Sequence, residues 1–443
     1  MAQGAGYVQP DFGATLCTPG SGAEMYAFAG ALYPICRSIT GPGVRETLDL
    51  IGARIPLERT ETPTGAQVLD WTVPNEWTIR DAYIKNAAGE RVVDFRKHNL
   101  HVLNYAAPVR ARLPLAELKQ HIFTLPDQPT LIPYRTSYYQ ERWGFCMSHA
   151  ALEALPDGEY EVVIDSTLAP GALTYAEHVH RGESEEEVLL QAHTCHPSLA
   201  NDNCSGMALL TQLAAALAPL RTRYTYRFLF APGTIGAITW LARNEARAQQ
   251  IKHGLVLSCV GDAGGPTYKR TRRGDAPIDR AMAHVLAHAA PQARVIDFSP
   301  YGYDERQYNS PGFQLDVGLF QRSLFATFPQ YHSSADDLSF IAPEHLELSL
   351  RIVAGTIDVL ERDGRWRNTA PKGEPQLGRR GLYNAIGGDR DAYARNMAML
   401  WVLNLSDGGH SLLDIAERAR MPFAHIAAAA GMLAQHGLLT PAD

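Results

Sequence analysis

With 443 residues and a typical domain of about 150, the chain has room for roughly three domains, and its 46% apolar and 20% charged residues exclude disorder, fibres and small disulfide scaffolds. Forty basic against forty-seven acidic residues give a net charge of −7, which offers no attraction to phosphate backbones, and no apolar run reaches the roughly 20 residues of a membrane span. Six sparse cysteines read as reduced thiols, and Met1-Ala2-Gln3-Gly4 carries neither the basic stretch nor the apolar core of a secretory signal, so a cytoplasmic protein is expected.

Met25, Phe28, Ala29, Leu32 and Tyr33 recur at helical spacing, and Val44, Leu48 and Ile51 continue the pattern after a turn-rich break at residues 37–43. After Pro63 the period changes. Trp71, Val73, Trp77 and Ile79 alternate, the runs 82–85 and 91–95 flank Asn86-Ala87-Ala88-Gly89 as a β-hairpin, and 101–105 alternates again. A small β-rich module is therefore expected at 65–130, inserted into a larger domain. From about Tyr160 buried strands alternate with helices: 161–165, 187–192, a helix over 205–220, strand 226–230, a helix over 235–249 and strand 254–259. This is the rhythm of an α/β fold, a sheet flanked by helices, whose functional residues gather at the carboxyl ends of the strands. The run Glu183-Ser184-Glu185-Glu186-Glu187 reads as a solvated loop. A Pro/Gly/Arg-rich linker at 370–381 leads to three short helical patterns at 395–405, 411–419 and 423–436, which suggest a winged helix. The expected domains are 18–64 with 131–369, the insert 65–130, and 370–443.

Gln191-Ala192-His193-Thr194-Cys195-His196-Pro197 begins where a buried strand ends, and Asn201-Asp202-Asn203-Cys204-Ser205-Gly206 opens the next helix. Neutral imidazole nitrogen and carboxylate oxygen are ordinary ligands of catalytic zinc. Asp202 can equally cap the helix while His193 packs. Val260-Gly261-Asp262 supplies a carboxylate near the next strand end, and Tyr331-His332-Ser333-Ser334-Ala335-Asp336-Asp337 adds a late histidine, which together make a metal shell. His196, followed by Pro197, reads more simply as part of a turn.

In their order, these motifs resemble the co-catalytic zinc aminopeptidase superfamily. More closely, the chain is similar to the aminopeptidase-like domain proteins, through Ile132-Pro133-Tyr134-Arg135-Thr136-Ser137-Tyr138-Tyr139, Trp143-Gly144-Phe145-Cys146, Thr267-Tyr268-Lys269-Arg270 and Gly302-Tyr303-Asp304-Glu305-Arg306-Gln307. The resemblance covers nearly the whole chain. It implies a zinc-exopeptidase-like mixed sheet flanked by helices, an inserted β-rich domain and a C-terminal winged helix. It also implies zinc, one or two ions, with His193, Asp202 and Asp262 forming one site and Asp202 with His332 part of a second. The implied chemistry is hydrolysis of a peptide, aminoacyl or metabolite amide by metal-activated water.

The pattern departs where the superfamily has a Glu-Glu pair. Here the stretch is Phe230-Ala231-Pro232-Gly233-Thr234, without an acid, and Gly233 stands where some relatives have Glu. Either the second metal site is empty, or Glu305 supplies the missing base with Asp304 as ligand or amine partner, or activity is lost and the pocket only binds. A single-zinc acyl-transfer or cyclisation enzyme is a further alternative. Arg306 can hold a substrate carboxylate as a bidentate fork, and Tyr331 and Tyr303 can line the pocket or donate to an oxyanion. Cys195 stands where many superfamily members have the Asp that orients the ligand histidine. From 371 to 443 seven basic residues balance seven acidic ones, and residues 423–436 hold no Lys or Arg, so DNA binding is not expected and packing or homo-oligomer contact is preferred.

Overall fold

The computed structural model describes residues 10–382 and 390–442. Two compact units are present, one comprising Pro19–Gly274 and Arg294–Ser349, the other the described parts of Met1–Thr18, Asp275–Ala293 and Leu350–Asp443.

The larger unit is built on an eight-stranded mixed sheet. Its spatial order is Glu58–Pro63, Ala172–His180, Thr225–Ala231, Glu187–His193, Ile251–Leu257, Val317–Gln321, Thr267–Lys269 and Arg294–Ile296. The four central strands, Thr225–Ala231 through Val317–Gln321, run parallel, and the antiparallel pairs lie outside them. Every residue of Glu187–His193 and of Thr225–Ala231 is buried, as expected of parallel strands covered on both faces. Helices Ser21–Leu32, Pro42–Gly52, Gly206–Leu217 and Ile235–Arg243 lie where the apolar spacing predicts them.

Two polar residues are carried inside this sheet because they neutralise each other. Arg227 donates to both oxygens of Glu187, at 2.7 and 2.6 Å, and to Glu177 at 2.8 Å, while the Trp240 indole donates to the other Glu177 oxygen at 2.7 Å. Glu187 is thus not part of a solvated charge run. It is the buried acid that balances Arg227, since an unpaired charge at that depth would be costly.

A four-stranded antiparallel sheet of order Arg91–Asp94, Glu76–Lys85, Glu159–Ala169 and Val109–Pro114 forms the β-rich part. The expected hairpin is present, its loop fixed by Asn86 Oδ1, which accepts from the Ala88 and Glu90 amides at 3.0 Å each, and by Gly89 at φ 82°. Strand Glu159–Ala169, expected in the large sheet, belongs here instead. Period-two alternation fits either sheet, and the cross-strand register with Glu76–Lys85 decides. Residues 101–105 do not form a strand. After the short 3-10 turn Asn99–His101, Asn104 is buried as a hub that donates to the Arg37 carbonyl (2.9 Å) and accepts from Ser38 Oγ (2.6 Å).

The second unit contains helices Pro277–Ala289, Arg390–Leu405, Leu412–Ala419 and Phe423–Gln435 and an antiparallel sheet of order Asp407–Ser411, Arg365–Asn368, Leu439–Pro441. Three helices with such a sheet make a winged helix whose first strand lies ahead of the linker. Ser411 caps Leu412–Ala419 in a reciprocal capping box with Asp414. All six cysteines are free. No described helix is long and apolar enough to cross a membrane.

Candidate active site

Strand Glu187–His193 ends in His193, whose register partner on the neighbouring parallel strand is Ala231. The chain then turns sharply through Cys195 and His196 and reaches the irregular segment Ala200–Ser205, where Asp202 and Asn203 leave helical geometry before helix Gly206–Leu217 begins. Asn203 stitches this turn to the sheet. Its Oδ1 accepts from the Gly206 amide (3.0 Å) and its Nδ2 donates to the Leu257 carbonyl (3.0 Å).

Asp202 is 1% exposed, and its two oxygens face different histidines. Oδ1 lies 2.9 Å from His193 Nε2, and Oδ2 lies 3.1 Å from His332 Nε2. The His196 ring sits between them, its centroid 4.9 Å from that of His193 and 5.2 Å from that of His332. Burial works against the Asp202 carboxylate, but His196, His193 and His332 together outweigh it and hold the carboxyl well below its ordinary range. Burial pushes His196 well below the usual imidazole range. A neutral imidazole is the form that ligates a metal.

Among the described residues, ligand atoms of His196, Asp202 and His332 lie within 4.8 Å of one another, as do those of His193, Cys195 and His196. The first set, two imidazoles and a carboxylate, matches the donor chemistry of catalytic zinc. Cys195 Sγ lies 3.8 Å from His193 Nδ1 and 3.3 Å from His196 Nδ1, and burial pushes its thiol up to about 12. It therefore stands as a neutral partner behind the imidazoles. Ser258 Oγ is 3.3 Å from His193 Nε2, but that same nitrogen faces Asp202, so the relay of a serine hydrolase, which uses both ring nitrogens, is not formed.

Other residues hold the shell in place. Asp336 accepts from the backbone amides of Asn201 (2.6 Å) and Asp202 (3.0 Å). Arg37, fully buried, donates to the His196 carbonyl at 3.1 Å. The Tyr134 amide donates to the His332 carbonyl at 2.8 Å, so the Ile132-Pro133-Tyr134 motif anchors the loop that delivers His332. His196, Cys259 and His332 adopt φ of 81°, 52° and 53°. Non-glycine residues in that region cost of order 1 kcal/mol and cluster at functional sites.

The residues expected from the sequence divide accordingly. His193, Asp202 and His332 meet. Asp262 does not join either ligand group: its carboxylate accepts from Ser323 Oγ and the Gly264 amide, both at 2.6 Å, and from Asn201 Nδ2 at 2.8 Å, and so braces the Asp202 loop from behind. Glu305 is fully buried, ion-paired with Lys269, and accepts from the Tyr303 amide at 2.9 Å. Asp304 is likewise buried and accepts from Gln191 Nε2. Burial, and then Glu305, push its carboxyl well above the ordinary range. Arg306 is exposed. Tyr331 stacks on His332 with centroids 3.9 Å apart. His196, read from the sequence more simply as part of a turn, and Asp336 join the site although neither is in the expected ligand set. Their signal was adjacency, His196 three residues after His193 and Asp336 four after His332.

Residues 26–363 match the family described as a domain of unknown function, DUF4910, and residues 364–441 match a winged helix-turn-helix family. A Clostridium acetobutylicum protein named for polysaccharide biosynthesis and an aminopeptidase-like domain is 51% identical over 419 residues, covering 95% of this chain and 96% of its own. A crystal structure from the same organism, described as a peptidase, superposes with a TM-score of 0.90 at 50% identity, covering 95% of this chain and 97% of that one. The zinc aminopeptidase of Bacillus subtilis superposes with a TM-score of 0.56 at 12% identity, over 76% of this chain and 93% of that one, which is a likeness of fold. With the fold, the ordered motifs and the matched family in agreement, the chain belongs to the DUF4910 family of aminopeptidase-like domain proteins and carries a C-terminal winged helix.

Proposed function

We propose that this protein is a metal-dependent hydrolase of the aminopeptidase-like type, cleaving an amide of a small peptide, aminoacyl or metabolite substrate in a biosynthetic setting. The observation that carries the reading is Asp202: a buried carboxylate between His193 and His332, with His196 completing a three-donor group. Zinc held by Asp202, His332 and His196 would polarise an acyl carbonyl and make water acidic enough to attack near neutral pH. His193 orients the far oxygen of Asp202. Glu305 faces Lys269 and Asp304 faces Gln191, so neither carboxylate is placed to take a proton from water. The name of the Clostridium relative supports a biosynthetic setting over bulk peptide digestion.

The test is a panel of aminoacyl amides, p-nitroanilides and dipeptides offered to zinc- or cobalt-loaded protein, with Asp202→Asn as control. Turnover by wild type that the variant loses by at least a hundredfold supports the reading. Turnover unchanged in the variant contradicts it. A second reading, a metal-binding protein without turnover, is favoured by one observation: no carboxylate stands at Gly233. It predicts metal uptake with no hydrolysis of any member of the panel.

A further inference from the structure

We propose that Tyr303 is the residue that meets the substrate's acyl oxygen over the imidazole cluster, in the room that a side chain at position 233 would need. The proposal rests on the reading of Asp202 and its histidines as the reactive site.

Gly233 follows the strand whose last residue, Ala231, is the register partner of His193, so position 233 opens beside the cluster. A Cβ built on Gly233 falls 2.2 Å from Tyr303 Cε1 and 2.4 Å from its hydroxyl oxygen, far inside van der Waals contact. No larger residue fits there while the ring stays. The tyrosine ring lies with its centroid 4.1 Å from that of His193, and its hydroxyl is 3.4 Å from Cys195 Sγ. Gly233 and Tyr303 are therefore two halves of one arrangement, in which the phenol fills the space that any side chain at position 233 would enter.

The ring is seated from behind. The Tyr303 amide donates to Glu305 Oε2, the other Glu305 oxygen pairs with Lys269, and the Lys269 ammonium also donates to the Ser299 and Tyr301 carbonyls at 3.1 and 3.0 Å. This buried knot fixes residues 299–305, so Glu305 acts as a positioning residue for Tyr303.

A neutral phenol donates one hydrogen bond and is no substitute for a carboxylate base. What it can do is stabilise oxygen, as an oxyanion donor does. Thiol sulfur is a weak acceptor, so the hydroxyl can leave Cys195 for a carbonyl or carboxylate oxygen at small cost. The ligand class that fits is an acyl compound presenting that oxygen beside His193.

Two measurements test the two halves. Thermal unfolding of Gly233→Ala, Tyr303→Ala and the double variant forms a cycle: Gly233→Ala should lower Tm by about 3 °C or more with Tyr303 present and change it little without the ring. Equal shifts in both backgrounds overturn the shared space. Calorimetric titration of zinc-loaded wild type and Tyr303→Phe with leucine hydroxamate should show roughly five- to tenfold weaker binding by the variant at equal zinc content. Tyr303→Phe keeps the ring and is expected to fold as wild type does, which its Tm checks. Equal affinity overturns the donor role alone, whereas failure of wild type to take up zinc overturns the site reading and the proposal with it.

Discussion

Glu305 shows how a residue that looks catalytic in sequence is claimed by its neighbours. Its partner Lys269 lies 36 positions earlier, and both side chains are buried, 0% and 4% exposed. Removing Glu305 leaves the buried Lys269 ammonium without a counter-charge, held only by the Ser299 and Tyr301 carbonyls. Glu305→Ala should therefore destabilise the fold by about 3 kcal/mol or more in denaturant titration while zinc content at the Asp202 cluster is retained. Loss of less than about 1 kcal/mol would show that the pair does not carry this weight. Asp304 gives a prediction with a sign. Its folded carboxyl titrates above the ordinary range, so above pH about 4 the unfolded chain releases a proton that the folded chain keeps. Its contribution to stability then falls as pH rises from that point through the folded value. Asp304→Asn should flatten the slope in pH-dependent unfolding, and an unchanged slope would contradict the assignment.

At the scale of elements, the site consists of strand ends and the loops that follow them. Strand Glu187–His193 supplies His193, the irregular segment Ala200–Ser205 supplies Asp202, and the 331–337 loop supplies both His332 and the Asp336 that cradles Asp202. Asp336→Ala leaves two buried amides without an acceptor, at about 1–3 kcal/mol each. The expected outcome is lower stability and at least a tenfold loss of zinc affinity, read by competition with a chromogenic chelator. Unchanged affinity would show that Asp202 needs no such support. Much of this was legible beforehand, because strand-end placement and donor chemistry both follow from local sequence. His193, Asp202 and His332 could be picked out on that basis. What could not be read is long-range pairing. Nothing local distinguishes Asp262, engaged by Ser323 and Asn201, from a free ligand, and nothing in the alternation of residues 159–169 says which sheet they join. His196 was obscured by Pro197, since a turn and a ligand both fit there and only the turned backbone brings its ring between His193 and His332.

For the molecule as a whole, the aminopeptidase-like fold has kept an imidazole–carboxylate cluster while position 233 carries no acid. Introducing an acid at that position is a direct probe of the site. Gly233→Glu alone should misfold or lose stability against the Tyr303 ring, whereas Gly233→Glu with Tyr303→Ala should fold and, under the hydrolase reading, turn over aminoacyl p-nitroanilides at least tenfold faster than Tyr303→Ala alone. No gain in a folded, zinc-loaded double variant would show that the missing carboxylate is not what limits the chemistry. For the winged helix, charge gives an expectation. Its last helix, Phe423–Gln435, has no Lys or Arg, and the chain carries a net charge of −7, so duplex DNA should not be retarded at physiological salt. A salt-sensitive shift would contradict this.

The measurement that bears most directly on the account is metal content per chain by plasma mass spectrometry, on protein purified without chelators, for wild type, Asp202→Asn and His332→Ala. The account predicts about one zinc in wild type and loss of it in both variants with the fold retained by circular dichroism. Wild type that holds no metal even after reconstitution, or variants that keep it, would contradict the central role assigned to Asp202 and its histidines.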